Sequence, residues 1–153
     1  MTLTSTDRRC LDAAIRQAET SWNEGGVPIG AVLATEERIL GEGRNRRVQL
    51  NSAIHHGETD CLENIGRMPA SGYANTTMYT TLSPCPMCTG AILLYKIPRV
   101  VIGENRSFAG AEDALRQAGV EVIVADDSRC IDLMNKMKTE RPSIWAEDIG
   151  EEA

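Results

Sequence analysis

Residues 77–103 read TMYTTLSPCPMCTGAILLYKIPRVVIG. Thr77 to Thr81 is a strand that runs out at Ser83-Pro84, and Pro86 to Tyr95 is a helix stopped before Pro98. Arg99 to Gly103 is a second, apolar strand. A strand, a helix and a strand joined this closely predict a parallel pair with a right-handed crossover.

The same rhythm continues towards the C-terminus. Ala111 to Ala118 reads as a short helix, Val120 to Ala125 as a strand, and Ser128 to Thr139 as a helix with Ile131, Met134 and Met137 inward. From Pro142 the chain reads as an acidic tail holding Trp145. Towards the N-terminus, Thr6 or Asp7 can cap a helix with Leu11, Ala14, Ile15, Ala18 and Trp22 on one face, ended by Gly25-Gly26. Ile29 to Thr35 and Arg38 to Gly43 form a hairpin through Glu36-Glu37. A polar loop, Arg44 to Asn51, then leads to a helical stretch from about Ala53 to Gly66. The order α-β-β-α-β-α-β-α-β-α predicts an α/β fold: a five-stranded mixed sheet with helices on both faces. No repeat or linker interrupts residues 1–153, so one domain is expected.

Composition narrows the function classes. The net charge is −6, which argues against a standing attraction for nucleic acid or an anionic membrane. No apolar run approaches a membrane span, and Met1 to Asp12 carries no apolar signal core, so a cytoplasmic setting is expected. Five cysteines, an odd number in a chain without an export signal, argue against a disulfide framework. Cys10, Cys61 and Cys130 read as buried small hydrophobes, and Met78, Met87, Met134 and Met137 as core filler. The only two histidines are adjacent, His55 and His56.

Two fragments carry chemistry: His56-Gly57-Glu58 and Pro84-Cys85-Pro86-Met87-Cys88. Two cysteines three apart at a helix start bring both sulfurs to one side. One histidine completes three ligands of a tetrahedral Zn2+ and leaves a fourth position for water. Pro86 fits the first helical position, and the helix N-terminus favours thiolates at Cys85 and Cys88. Glu58 is then the proton carrier, in the pattern His-x-Glu followed by Pro-Cys-x-x-Cys that marks zinc base deaminases. A redox Cys-x-x-Cys competes with this reading but leaves His56 and Glu58 without a role. A structural zinc site, with His55 or Cys61 as fourth ligand, also stays open, as does a zinc-stabilised binding module, which has no use for Glu58.

At these residues the chain resembles the cytidine-deaminase superfamily and, within it, the fungal-type cytosine deaminases. The resemblance runs through Gly25 to Gly30, Gly43 to Asn45, His56 to Glu58, Thr80 to Cys88, Gly103 to Asn105 and Trp145 to Gly150. It implies a three-layer α/β/α domain, a homodimer, and one Zn2+ per subunit on His56, Cys85 and Cys88. It implies hydrolysis of cytosine to uracil, Glu58 protonating the ring nitrogen beside the amine-bearing carbon and then the departing ammonia. Isocytosine, guanine or another amino-heterocycle is the alternative substrate. Asn45 and the Gly57 backbone would hold the ring carbonyl and N–H side, Asp148 would accept from the amine, and Ser83 would offer a backbone contact. Phe108 and Trp145 would close the pocket, with Ile29 and Leu82 as apolar walls.

Read without the resemblance, Asn45 is a turn residue, its arginine neighbours a solvated face or dimer contact, Asp148 a solvated tail charge, and Trp145 and Phe108 core anchors. The chain departs from the resembled pattern at His55, at Thr59-Asp60-Cys61, and at Ala146 beside Trp145. These departures are expected near the pocket, where they could change which heterocycle fits.

Overall fold

The computed structural model describes residues 2–151. Residues 1, 152 and 153, which the one-domain reading includes, lie outside the described residues.

The first helix, α1, spans Ser5–Asn23. Its N-cap is Thr4, not Thr6 or Asp7. Thr4 Oγ1 accepts from the Asp7 N–H, and Asp7 accepts from the Thr4 N–H, each at 3.0 Å. Asp7 thus stands three residues inside, where a carboxylate returns the bond to the cap. The hairpin follows as β1, Gly30–Ala34, and β2, Ile39–Arg44, with a bulge between Leu33 and Ala34.

The expected polar loop contains a one-turn helix, α2 (Arg47–Leu50), ended by Asn51 in the left-handed region at φ 51°. The next helix, α3, spans Gly57–Ile65 and starts about four residues later than the sequence suggested. His56, extended at φ −70° and ψ 169°, is its N-cap. A 3-10 turn, Ala70–Tyr73, precedes β3, Thr77–Thr80. Then come α4 (Pro86–Leu94), β4 (Arg99–Ile102), α5 (Glu112–Gln117), β5 (Glu121–Val124) and α6 (Ser128–Glu140). What read as an open acidic tail is a further helix, α7, Pro142–Asp148, opened by its proline.

The sheet order is β2-β1-β3-β4-β5. β1 runs antiparallel to β2 and β3, and β3, β4 and β5 are mutually parallel. Alternation along the strands divides the core in two. Ala31, Leu33, Met78, Val100 and Ile102 face a layer containing Cys61 of α3, Ile92 of α4 and Leu115 of α5. Val32, Ala34, Tyr79, Val101 and Ile123 face Cys10, Ala13 and Ala14 of α1. Leu11 and Ile15 of α1 also pack on Cys130 of α6. The result is three layers, α/β/α. On α6 the buried residues are Cys130, Met134 and Met137, with Ile131 half-buried; Met87, read as core filler, is exposed on α4. Packing is tight where α3 meets the sheet: a Cβ on Gly43 would stand 2.2 Å from the backbone nitrogen of Cys61.

Candidate active site

The site lies at the C-terminal end of β3, where open α/β sheets place their ligands. β3 continues through Leu82-Ser83-Pro84 to Cys85, the N-cap of α4 at φ −67° and ψ 171°. Pro86 takes the first helical position and Thr89 N–H closes the turn on Cys85 O at 2.8 Å, bringing Cys88 beside Cys85. α3 begins alongside with His56 at its own N-cap. Two helix N-termini, with free N–H groups and partial positive charge, therefore face one point.

His56 Nδ1 is 3.3 Å from Cys85 Sγ and 3.7 Å from Cys88 Sγ. The ligating atoms of all three residues lie within 4.8 Å of one another. Tetrahedral zinc, with bonds of about 2.3 Å to sulfur and 2.0–2.1 Å to nitrogen, puts sulfur and nitrogen about 3.5 Å apart, so the donor set fits that ion. Electrostatics agree. Burial opposes a charge on His56, yet Cys85, Asp148 and Glu58 together push its pKa up to about 9, so these surroundings favour a cation. Cys88 donates to Cys85, whose thiol is drawn down to about 4 against burial and with help from His56, while Cys88 itself is pushed up.

Glu58 is buried in the first turn of α3, and burial pushes its carboxyl up to about 7. It lines a small cavity with Ile29, His56, Leu82, Ser83, Cys85, Phe108, Trp145, Asp148 and Ile149. Phe108 and Trp145 meet edge to face at 6.1 Å between ring centres, closing one side. The pocket thus gathers Ile29, Leu82, Ser83, Phe108, Trp145 and Asp148 from four separate segments. Trp145 and Asp148 are not tail residues in solvent: both are buried on α7.

Asn45 and Gly57 stand behind this wall rather than on it. Asn45 is fully buried, contrary to its reading as a turn residue. Its Nδ2 donates to Asp148 at 3.1 and 3.2 Å, and its Oδ1 accepts from the Arg47 N–H at 3.1 Å. Gly57 packs on Ile29, whose Cγ2 would lie 3.3 Å from any Cβ there. The neighbouring arginines are not a solvated face, because each has found a carboxylate: Arg44 pairs with Glu24, Arg46 with Asp60, and Arg47 with Glu147 and Asp148. Ser83 Oγ donates to Glu112 at 2.7 Å and accepts from the Gly110 N–H at 2.9 Å, fixing the loop that carries Phe108.

Three contributors escaped the sequence reading: Ile149 on the wall, Arg47 behind Asp148, and Glu112 behind Ser83. Ile149 lay inside the recognised tail, so its place there was a usable signal. Arg47 and Glu112 act across 101 and 29 residues of chain, and nothing local marks such pairs. Of the departures, His55, Thr59, Asp60, Cys61 and Ala146 all lie off the cavity wall.

Residues 4–104 match the family profile of the cytidine and deoxycytidylate deaminase zinc-binding region. Over 150 residues, 97% of this chain and 100% of the relative, the sequence is 52% identical to a cytosine deaminase of Candida albicans. It is 34% identical over 108 residues, 70% of this chain and 68% of the relative, to a tRNA-specific adenosine deaminase of Streptococcus pyogenes. Among solved structures, one from a study of A-to-I editing by tRNA deaminases at the wobble position superposes with a TM-score of 0.68 at 24% identity. That superposition covers 82% of this chain and 99% of the other, and bears on the fold alone.

Proposed function

The chain belongs to the cytidine and deoxycytidylate deaminase zinc-binding family, and on that premise we propose that it hydrolyses the free base cytosine to uracil and ammonia. The observation that carries this reading is Glu58: a buried carboxyl beside a His-Cys-Cys donor set, facing a small cavity with apolar walls. A redox pair or a structural zinc site has no use for it.

In this account His56 Nδ1 and the sulfurs of Cys85 and Cys88 hold Zn2+. When bound, the ion supplies a Lewis acid that makes water nucleophilic at neutral pH. The chain's own residues do the rest. Ile29 and Leu82 form apolar walls, and Phe108 and Trp145 close over the ring and exclude bulk water. Asp148 accepts from the exocyclic amine and the Ser83 backbone meets the amide edge. Glu58 takes a proton from water and gives it to the ring nitrogen beside the amine-bearing carbon. The water oxygen bonds to that carbon, and Glu58 then takes the proton of the resulting hydroxyl and passes it to the amine, so that the C–N bond breaks, ammonia leaves and the carbonyl of uracil forms. A buried carboxyl beside the donor set is placed both to accept a proton and to hand it on. Asn45 and Gly57, expected at the ring carbonyl and N–H side, stand behind the wall, where Asn45 holds Asp148 and Gly57 packs on Ile29.

That the departures lie off the wall favours cytosine over isocytosine or guanine. The single deaminase domain is read as acting on a small molecule rather than nucleic acid, on its net charge of −6. We also infer a homodimer, because Val48, Leu50, Ile54, Leu94 and Tyr95 are exposed, and Ile54 and Tyr95 share a groove with Leu62, Met68 and Tyr73. Five cysteines with no disulfide among them fit a reducing, cytoplasmic setting. The testing experiment is an ammonia-release screen of zinc-loaded protein across free bases and nucleosides. Release from cytosine supports the reading; release from nucleosides only would refute it.

A further inference from the structure

Asp60 sits on α3 one turn beyond His56, off the cavity wall, with its side chain fully buried. Its Oδ1 accepts from Arg46 Nε at 2.9 Å, Arg46 Nη2 at 2.7 Å and His55 Nδ1 at 2.9 Å. Its Oδ2 accepts from the Arg44 N–H at 3.0 Å and from Asn64 Nδ2 at 3.4 Å. The Arg46 N–H in turn donates to His55 O at 2.9 Å. Two of the positions at which the chain departs from the resembled pattern, His55 and Asp60, are therefore bonded to each other.

A buried carboxylate is costly unless its lone pairs are filled, and here both oxygens are engaged. Burial pushes the Asp60 carboxyl up, but Arg46, the Arg44 N–H and His55 outweigh it and hold it below its ordinary value. It is thus an acceptor with fixed donors.

Those donors bracket one residue. Asn45 lies between Arg44 and Arg46, with its N–H on Ile29 O at 2.9 Å and its side chain on Asp148. α3 carries His56 and Glu58 as well as Asp60. One carboxylate therefore ties the segment presenting Asn45 to the helix presenting the proton carrier.

We propose that Asp60 is a positioning residue for the reaction: by clamping the chain on both sides of Asn45 it sets where Asn45, and through it Asp148, stands relative to Glu58. This rests on the cytosine reading for its substrate. The Asp60 side chain lies off the cavity wall and bonds none of His56, Cys85 and Cys88; only its backbone N–H reaches that set, donating to His56 O at 2.8 Å within the first turn of α3. Its effect passes through Asn45, so removing Asn45 must remove it.

The test is a double-mutant cycle on the full zinc-loaded chain, read as KM and kcat on cytosine together with zinc per chain. Asp60→Asn is expected to raise KM about tenfold, since small misplacements of a binding group carry large kinetic costs, with zinc content unchanged. In an Asn45→Ala background the same substitution is expected to change KM less than about twofold. A purely structural role would give the same factor in both backgrounds, and that additivity overturns the proposal, as does an unchanged KM or loss of zinc. Should Asp60→Asn not fold, Arg46→Gln, which keeps the carboxylate, must show the same non-additivity. Failure of both variants to fold makes the role one of stability and overturns the proposal.

Crystal structures give a reading that does not depend on turnover. A shift of about 1 Å or more at Asn45 and Asp148 in Asp60→Asn supports the placement role, and an unmoved pair overturns it. A wild-type chain silent on cytosine counts against the substrate alone, because this readout survives it.

Discussion

Asp148 Oδ2 lies 3.5 Å from His56 Nε2, on the side of the ring opposite the Nδ1 that faces the two sulfurs. A carboxylate behind a ligating imidazole orients the ring and raises its basicity, and such partners are worth about 10- to 100-fold in metal affinity. Asp148→Asn is therefore expected to weaken zinc binding at least about tenfold in competition with a chromophoric chelator. If Asp148 served only the substrate amine, KM would rise while zinc affinity stayed put.

The donor set makes a matching prediction about stability. Ligands that bind only the folded chain stabilise it by mass action, by about 2.7 kcal/mol when free ligand stands at a hundred times Kd. Stripping zinc with a chelator is expected to lower Tm and abolish ammonia release, with both restored by Zn2+. Cys88→Ala, which removes a buried sulfur, is expected to lose both and not recover on adding the metal.

How much of this was legible in the sequence follows from how local each feature is. Pro86 after Cys85, and His56 two residues before Glu58, encode helix starts and ligand spacing within a few residues, so the donor set and the β3-α4-β4 unit could be read directly. The start of α3 differs from the sequence expectation because Ala53 to His55 has helix-compatible residues but is held in a bend, with the His56 N–H on Ile54 O at 2.8 Å. The Arg46 N–H donates to His55 O, and Arg46 and His55 both bond Asp60. α7 read as a tail because its apolar side, Trp145 and Ile144, packs in a cluster with Val27, Ile29 and Leu82 from distant segments. The burial of Asn45 and the pairing of the arginines were illegible for the same reason.

The lid should show itself in binding. Phe108→Ala removes the edge-to-face contact with Trp145, a pair worth about 0.5–1.5 kcal/mol beyond its buried area. Steady-state kinetics on cytosine are expected to show KM raised by about two- to tenfold, with zinc content unchanged.

Far from the site, Asp7 ties α1 to the sheet. Its carboxylate accepts from Arg99 at 2.7 and 2.9 Å and from Tyr79 Oη at 2.7 Å. The Arg99 hydrogen bonds, opposed by burial and helped by Thr4 and Tyr79, hold its pKa well below the ordinary 3.8. A depressed folded-state value contributes stability above the unfolded pKa and loses it as pH falls towards the folded one. Denaturant melts should show stability falling as pH drops below about 4, and Asp7→Asn should lack that component. At neutral pH the variant is expected to be about 3 kcal/mol less stable, because Arg99 keeps a partly buried charge without its partner.

The central claim is that Glu58 moves protons in the zinc-dependent deamination of cytosine, and Glu58→Gln tests it most directly. The amide keeps the shape of the side chain and cannot carry the proton. Zinc-loaded Glu58→Gln is predicted to retain one zinc per chain, as the parent does, and to release neither ammonia nor uracil from cytosine where the parent releases both. Retained turnover in this variant, or loss of its zinc, would contradict the account.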